Sequence, residues 1–271
     1  MGHRLSGARS CSIAVFVVSA EGVCLILGAG SGIGAHVAAR FASEGYHVAL
    51  CRRTDEAGLQ RSVDAIKAAG GSASGVLLDA TAPDAIEEFV IQVENTHGPI
   101  TTAVFNLGAQ SGDHRLAETS LKQFELAWRM TSLALFRLAK VLMPLMVERG
   151  SGTLLVTSAT AAARGNAGQH AHAAAIGGRR LLCQSLNAEF GAKGIHVAHI
   201  IVDGAVDSPD TLGKLLGPER FAQYRDILGP DGLMDPAEIA ETYYHIAQQH
   251  RSAWTFETDL RPFSGKPWWN D

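Results

Sequence analysis

Two stretches of the chain hold residues whose types and spacing could do chemistry. The first is Gly28-Ala29-Gly30-Ser31-Gly32-Ile33-Gly34. It follows a continuous apolar run, Val23–Leu27, and the apolar spacing of a helix begins inside it. Small residues at a strand-to-helix junction let the backbone approach a pyrophosphate, and the helix start offers free N–H groups and a partial positive charge. A glycine turn alone can equally be a tight turn without a ligand; the flanking strand and helix favour a phosphate cradle. The second stretch is Arg52-Arg53, in Leu50-Cys51-Arg52-Arg53-Thr54 at the end of the second apolar run. Dinucleotide folds that prefer NAD place an Asp or Glu there for the ribose 2′-hydroxyl. No acid is present, and guanidinium groups suit a 2′-phosphate. NADP is therefore expected over NAD, with Arg52 the better placed of the two because it follows the position an acid would hold. The plainer alternative is a solvated basic turn.

Other chemistries fit poorly. His170 and His172 are two residues apart, on different faces of a helix, which argues against a metal pair. Cys11, Cys24, Cys51 and Cys183 are scattered without a CxxC pair, so neither a zinc site nor a disulfide framework is expected. The net charge of −4 argues against a partner held by phosphate neutralisation, such as a nucleic acid. With 46% apolar and 18% charged residues, the chain has the composition of a packed protein and not of a disordered one.

The elements that must position these residues alternate almost to the end. Strands are expected at Val23–Leu27, Val48–Cys51, Ser74–Leu78, Thr101–Phe105, Gly152–Thr157, His196–Val202 and Ala253–Glu257. Helices are expected at Ile33–Ser43, Asp55–Ala69, Ala82–Thr96, Leu116–Arg149, Gly168–Phe190 and Pro236–Gln249. Repeated βα units imply a doubly wound parallel sheet of about seven strands with helices on both faces, an α/β Rossmann fold. The 271 residues correspond to roughly 1.8 average domains, but no linker or repeat divides them, so one domain over 21–271 is expected. Residues 1–20 stand apart. Arg4 and Arg9 precede the apolar run Ser12–Val18 and then Val18-Ser19-Ala20, a pattern similar to a short signal peptide. The run is too short to span a membrane. The immediate onset of a strand at Val23 favours the other reading, an unstructured extension or an early start ahead of a cytoplasmic domain.

The spacing Gly28-x-x-x-Gly32-x-Gly34 resembles that of the short-chain dehydrogenase/reductase family, and the resemblance runs from Val23 to about Glu257. Asp79-Ala80 falls where the family's Asp contacts adenine. Asn106-Leu107-Gly108-Ala109 is similar to the family's Asn-Asn-Ala-Gly. Gly204-Ala205-Val206-Asp207-Ser208 is similar to Pro-Gly-x-Val-x-Thr, which implies that the Val206 backbone holds the carboxamide and that Ser208 replaces the Thr. The resemblance also implies a small-molecule carbonyl or alcohol substrate and a homodimer or homotetramer built through the two long helices.

The family's catalytic residues do not carry over. Gly165-Asn166-Ala167-Gly168-Gln169 resembles the lead-in to the catalytic Tyr, and Gln184-Ser185-Leu186-Asn187-Ala188-Glu189 the stretch after the Lys. Both set the Tyr position at His172 and the Lys position at Ile176. The Ser position then falls at Ala159, beside Ser158, and the Asn position at Thr131. His172 could replace the Tyr as a general acid, since an imidazole titrates near ~6.5 without help from a Lys; alternatively it is a helix histidine with no chemical role. Ser158 could polarise a carbonyl, or be a strand-end hydroxyl. Three readings follow: an NADP-binding oxidoreductase with an atypical site, a nucleotide-binding pseudoenzyme, or a non-redox reaction on the same scaffold. The polar segment 207–231, with Leu212, Leu215, Leu216, Phe221 and Tyr224 in amphipathic spacing, is expected to cover a partly hydrophobic substrate or to pack as a helix. The aromatic tail Leu260–Trp269 is expected to pack on a neighbouring subunit. No membrane partner is expected.

Overall fold

The computed structural model describes residues 21–108 and 114–270. The expectations for residues 1–20 and for Ala109 lie outside the described residues. The chain folds as β1 (Val23–Leu27), α1 (Ile33–Ser43), β2 (His47–Arg52), α2 (Glu56–Ala68), β3 (Ser72–Leu77), α3 (Ala85–His97) and β4 (Ile100–Phe105). There follow α4 (Leu121–Trp128), α5 (Ala134–Arg149), β5 (Gly152–Ala159), α6 (His170–Phe190) and β6 (Ile195–Val202). The chain closes with α7 (Lys214–Leu216), α8 (Pro218–Leu228), α9 (Pro236–Ala247) and β7 (Glu257–Leu260).

The seven strands form one parallel sheet in the order β3-β2-β1-β4-β5-β6-β7. The order reverses between β1 and β4, and such a switch point opens a crevice at the carboxyl ends of the strands. Two apolar layers cover the sheet. One packs Val37, Phe41, Ile239 and Tyr243 against Ile26, Leu50 and Ile200. The other packs Phe89, Leu135, Leu138 and Leu142 against Leu25, Phe105 and Val156. Every residue of β1 is buried, which is why its sequence reads as an unbroken apolar run. By length and composition Leu121–Arg149 is the one described helix able to cross a membrane. It nonetheless buries Leu135, Leu138, Leu142 and Met146 completely in the second layer.

Three expectations are corrected. The segment 116–149 is not one helix: Leu116–Glu118 is a separate 3-10 turn, and α4 starts after Ser120, whose side chain accepts the Gln123 N–H in a capping box. Between α4 and α5 the backbone widens into a π-turn, Arg129–Leu133. The third helix starts at Ala85, not Ala82, because Asp79 and Thr81 close a turn first. The last strand is Glu257–Leu260, shifted past the expected Ala253–Glu257. Its apolar start is used elsewhere: Trp254 stacks on His196 at 4.8 Å between centroids, and its indole N–H donates to Gln249 O.

Two buried histidines make the fold acid-sensitive. His47 is flanked by the Ser72 and Ser74 hydroxyls at 2.7 and 2.9 Å, and His199 Nδ1 lies 3.0 Å from Glu257 Oε2. Burial holds each imidazole down to about 4. The unfolded chain, titrating near ~6.5, binds more protons than the native state in this window. Their stabilisation is therefore complete above about pH 6.5 and lost as the pH falls through about 4. A thermal-melt series should show Tm dropping between pH 6.5 and 5, before ordinary carboxylates titrate; a flat Tm there contradicts it.

Candidate functional site

The glycine segment forms the turn from β1 into α1. Gly28 and Ala29 both donate to Cys51 O, at 3.1 and 2.9 Å, which ties the turn to the end of β2. Gly28 has a φ of +96°, and a Cβ there would lie 2.6 Å from Asn106 O. At Gly34 a Cβ would meet Gly28 O at 2.3 Å, so α1 can approach the turn only with glycine. Asn106 completes the brace, its Nδ2 donating to Gly28 O at 2.8 Å. No side chain caps the N-terminus of α1, which leaves its first N–H groups available to an anion.

A cavity of about 190 Å³ opens at this helix start, lined by Gly30, Gly32, Ile33, Gly34, Asn106, Val206, Ser208 and Thr211. Three segments far apart in sequence thus meet at the switch point, as expected for Gly32, Ile33, Gly34, Asn106, Val206 and Ser208. Val206 is fixed by a bridge to Met234, with Asp207 N–H donating to Met234 O at 2.8 Å. Thr211, not anticipated from sequence, donates to the buried Ser208 hydroxyl. The Ser208-Pro209-x-Thr211 spacing at a helix start was the available signal.

A second cavity, of about 440 Å³, lies between α1 and α2. Its upper end gathers Ser31, Arg52, Gly58, Arg61 and Asp210. The Ser31 hydroxyl is buried without a hydrogen-bond partner. Arg52 is not a free cation, since its guanidinium sits 3.1 Å from Asp55 Oδ2, and Asp55 also accepts the Gly58 N–H at 2.9 Å as the cap of α2. The guanidinium that joins Arg52 here is Arg61, from α2. Arg53 is exposed on the other side, towards Asp79.

Other expected residues are placed apart from both cavities. Gly28 serves the turn itself. Asp79 follows β3, which ends at Leu77, and its Oδ1 accepts the Thr81 N–H and hydroxyl at 2.9 and 2.8 Å. Those bonds hold its carboxyl below the usual range. Ala80 is buried, while Gly108 is exposed with open space around it.

The residues expected to be catalytic lie on three different elements. His172 lies in its first turn, partly exposed. Ser158, near the end of β5, is buried and its hydroxyl has no partner. Thr131 sits inside the π-turn and donates to Ala127 O at 2.7 Å, so its hydroxyl proton stays within the helix. Helices α4 and α6 approach through Ala127, Ala171 and Ala175. Ile176, 2% exposed, follows Ala175 directly in the chain.

The tail, expected to pack on a neighbouring subunit, makes contacts within its own chain. Trp268 N–H donates to Asp203 Oδ2 at 3.2 Å, its indole to Asp259 Oδ2 at 3.1 Å, and Arg164 Nη1 donates to its carbonyl at 2.8 Å. Segment 207–231 forms a π-turn followed by α7 and α8, and of its expected apolar face only Phe221 is buried.

Comparison with known proteins places these features. The short chain dehydrogenase family profile matches residues 22–213. The chain is 31% identical over 246 residues to the short-chain reductase protein NovJ of Streptomyces niveus, covering 89% of this chain and 92% of that protein. It is 27% identical over 237 residues to the 3-oxoacyl-[acyl-carrier-protein] reductase FabG of Vibrio cholerae, covering 87% of this chain and 93% of that protein. A short-chain dehydrogenase structure from Rhodopseudomonas palustris superposes with a TM-score of 0.74 at 34% identity, over 89% of this chain and 98% of that one.

Proposed function

The chain belongs to the short-chain dehydrogenase family, and on that premise we propose that it is an NADP-binding oxidoreductase for a carbonyl/alcohol pair, with an atypical site centred on His172. The observation that carries this reading is the cavity at the switch point, where the glycine turn, Asn106, Val206 and Ser208 line one space at a helix N-terminus. The lining suits the pyrophosphate and nicotinamide parts of a dinucleotide. The turn is kept open by the absence of a Cβ at Gly32, and the Ser31 hydroxyl awaits a partner on the 2′-phosphate side. Ser31, Arg52 and Arg61 would hold the 2′-phosphate, the N–H groups of Gly32 to Gly34 the pyrophosphate, and Val206 with Ser208 the carboxamide. Bound there, the nicotinamide supplies or accepts a hydride.

His172 would donate its proton to the substrate carbonyl oxygen as the carbon takes up hydride, and be reprotonated from solvent. Ser158 would hydrogen-bond the same oxygen. The segment 207–231 would cover a partly hydrophobic substrate. The exposed Phe124, Trp128 and Phe136 before and within α5, with Leu181 on α6, support a dimer or tetramer formed through these helices. A cytoplasmic location accords with this reading. One pair of residues favours a rival, a nucleotide-binding protein without turnover: Ala159 offers no hydroxyl and Ile176 no cation.

The test is a panel of carbonyl substrates with NADPH, followed by NADPH oxidation and product analysis. Turnover with matched product supports the oxidoreductase; tight binding without turnover supports the rival. Cofactor choice is tested separately. Arg52→Asp would set a third carboxylate beside Asp55 and Asp210 and should weaken NADPH binding by about 1.5–3 kcal/mol, the range for hydrogen bonds to charged groups. NADH affinity should change little, so calorimetry showing equal losses for both cofactors contradicts the assignment.

A further inference from the structure

Arg179 is the largest almost wholly buried side chain among the described residues, 2% exposed. It lies on α6 one turn beyond Ile176. Among the described residues no carboxylate is paired with it. The groups around it include the Cys183 thiol on α6, the His199 imidazole on β6, the Tyr243 phenol on α9 and the Phe105 ring on β4, the last 5.1 Å from the guanidinium carbon. Burial lowers its pKa to about 10, so it is charged at neutral pH. An unpaired buried cation is costly to keep, and its two strong contacts show what holds it. Nη1 donates to Thr157 O and Nη2 to Leu107 O, each at 2.6 Å.

The position of those two carbonyls matters. The β4–β5 ladder ends at the pair Phe105↔Val156. Beyond it the two chains part, one to present Asn106 and Gly108, the other to present Ser158 and Ala159. The guanidinium spans the gap just past the last registered pair, bridging the two chains where backbone pairing stops. Its planar fork holds both carbonyls at a fixed spacing, a geometry that the compact ammonium of a lysine does not impose.

We propose that Arg179 is a positioning residue of the site: it pins the diverging ends of β4 and β5 and so sets the nicotinamide half of the cofactor cleft, with no contact to the cofactor itself. This rests on the dinucleotide reading given above. It assigns the brace to a residue that lies away from both cavities and from the helix start bearing His172.

The test compares two ligands by calorimetry on the full chain. NADPH reports on the whole cleft, and adenosine 2′,5′-bisphosphate on the half at Ser31, Arg52 and Arg61 alone. Arg179→Met should weaken NADPH about tenfold or more, in keeping with the cost of a small misplacement, and leave the bisphosphate within about twofold. Arg179→Lys, whose ammonium keeps the charge without the rigid fork, should fall between Met and wild type, and it carries the comparison if Arg179→Met does not fold. The emission of bound NADPH should shift in the variants, reporting a changed nicotinamide environment. Equal loss of both ligands, or loss of neither, overturns the proposal. Wild-type protein that binds neither ligand overturns the dinucleotide reading and this inference with it, whereas normal NADPH binding by Arg179→Met overturns this inference alone.

Discussion

Gly32→Val should abolish NADPH binding while the protein stays folded. Gly32 is buried at the start of α1 and lines the cavity at the switch point. A Cβ there would already lie 3.0 Å from Ser208 Oγ. The two further methyl groups of Val would fill the space where a pyrophosphate meets the helix N–H groups and would push Ser208 from its contact with Thr211. The pyrophosphate and carboxamide parts of the proposed cleft are hit by one substitution. The loss should exceed that of Arg52→Asp, so more than about 3 kcal/mol, the upper bound for a charge-assisted hydrogen bond. The fold should survive because the atoms a Cβ would meet belong to side chains, Ser208 and Thr211, not to backbone. Calorimetry beside a thermal melt decides it: normal NADPH affinity in a folded Gly32→Val protein means the cradle lies elsewhere.

The second large effect is expected at His172. If the imidazole is the proton donor, His172→Phe should lower turnover by about 10²–10⁴, the usual contribution of one acid–base group. The wild-type rate in the reduction direction should fall as pH rises and the donor proton is lost. A rate unchanged in His172→Phe would make the imidazole a bystander and shift attention to Ser158. The converse experiment supplies the family's residues. His172→Tyr with Ile176→Lys and Ala159→Ser should raise carbonyl reduction. It should also lower Tm, because Lys at 176 places a cation in a buried position, one turn from the cation already at Arg179. A gain in rate accompanied by a loss of stability is thus the expected signature. A triple variant that is folded, binds NADPH and remains inactive would falsify the view that these three positions are what the site lacks.

Much of the fold was readable from local patterns. The strands β1, β2, β4, β5 and β6 are buried on both faces, so each appears as an apolar run, and α1 ends where its apolar spacing ends. The places where the pattern misled are informative. Strand β7, Glu-Thr-Asp-Leu, is half-exposed at the sheet edge and has no apolar run to announce it. Its apolar neighbour Trp254 is drawn off by His196, a partner 58 residues earlier in the chain. The π-turn at Thr131 leaves no mark in a periodicity that continues on either side of it.

The candidate site divides in the same way. Legible in the sequence were the parts whose chemistry is local: a glycine turn between strand and helix, the absence of an acid after β2, and spacings of a few residues such as Ser208 to Thr211. Which of these meet is set by the folded chain. It brings Arg61 rather than Arg53 to the side of Arg52, and Val206 and Ser208 to the glycine turn. It also buries Arg179 beneath two strand ends that lie 50 residues apart in the chain. The physical reason is range. Helical spacing and turn chemistry act over a few residues, whereas burial, ion pairing and the reach of a guanidinium depend on neighbours that only the folded chain brings together.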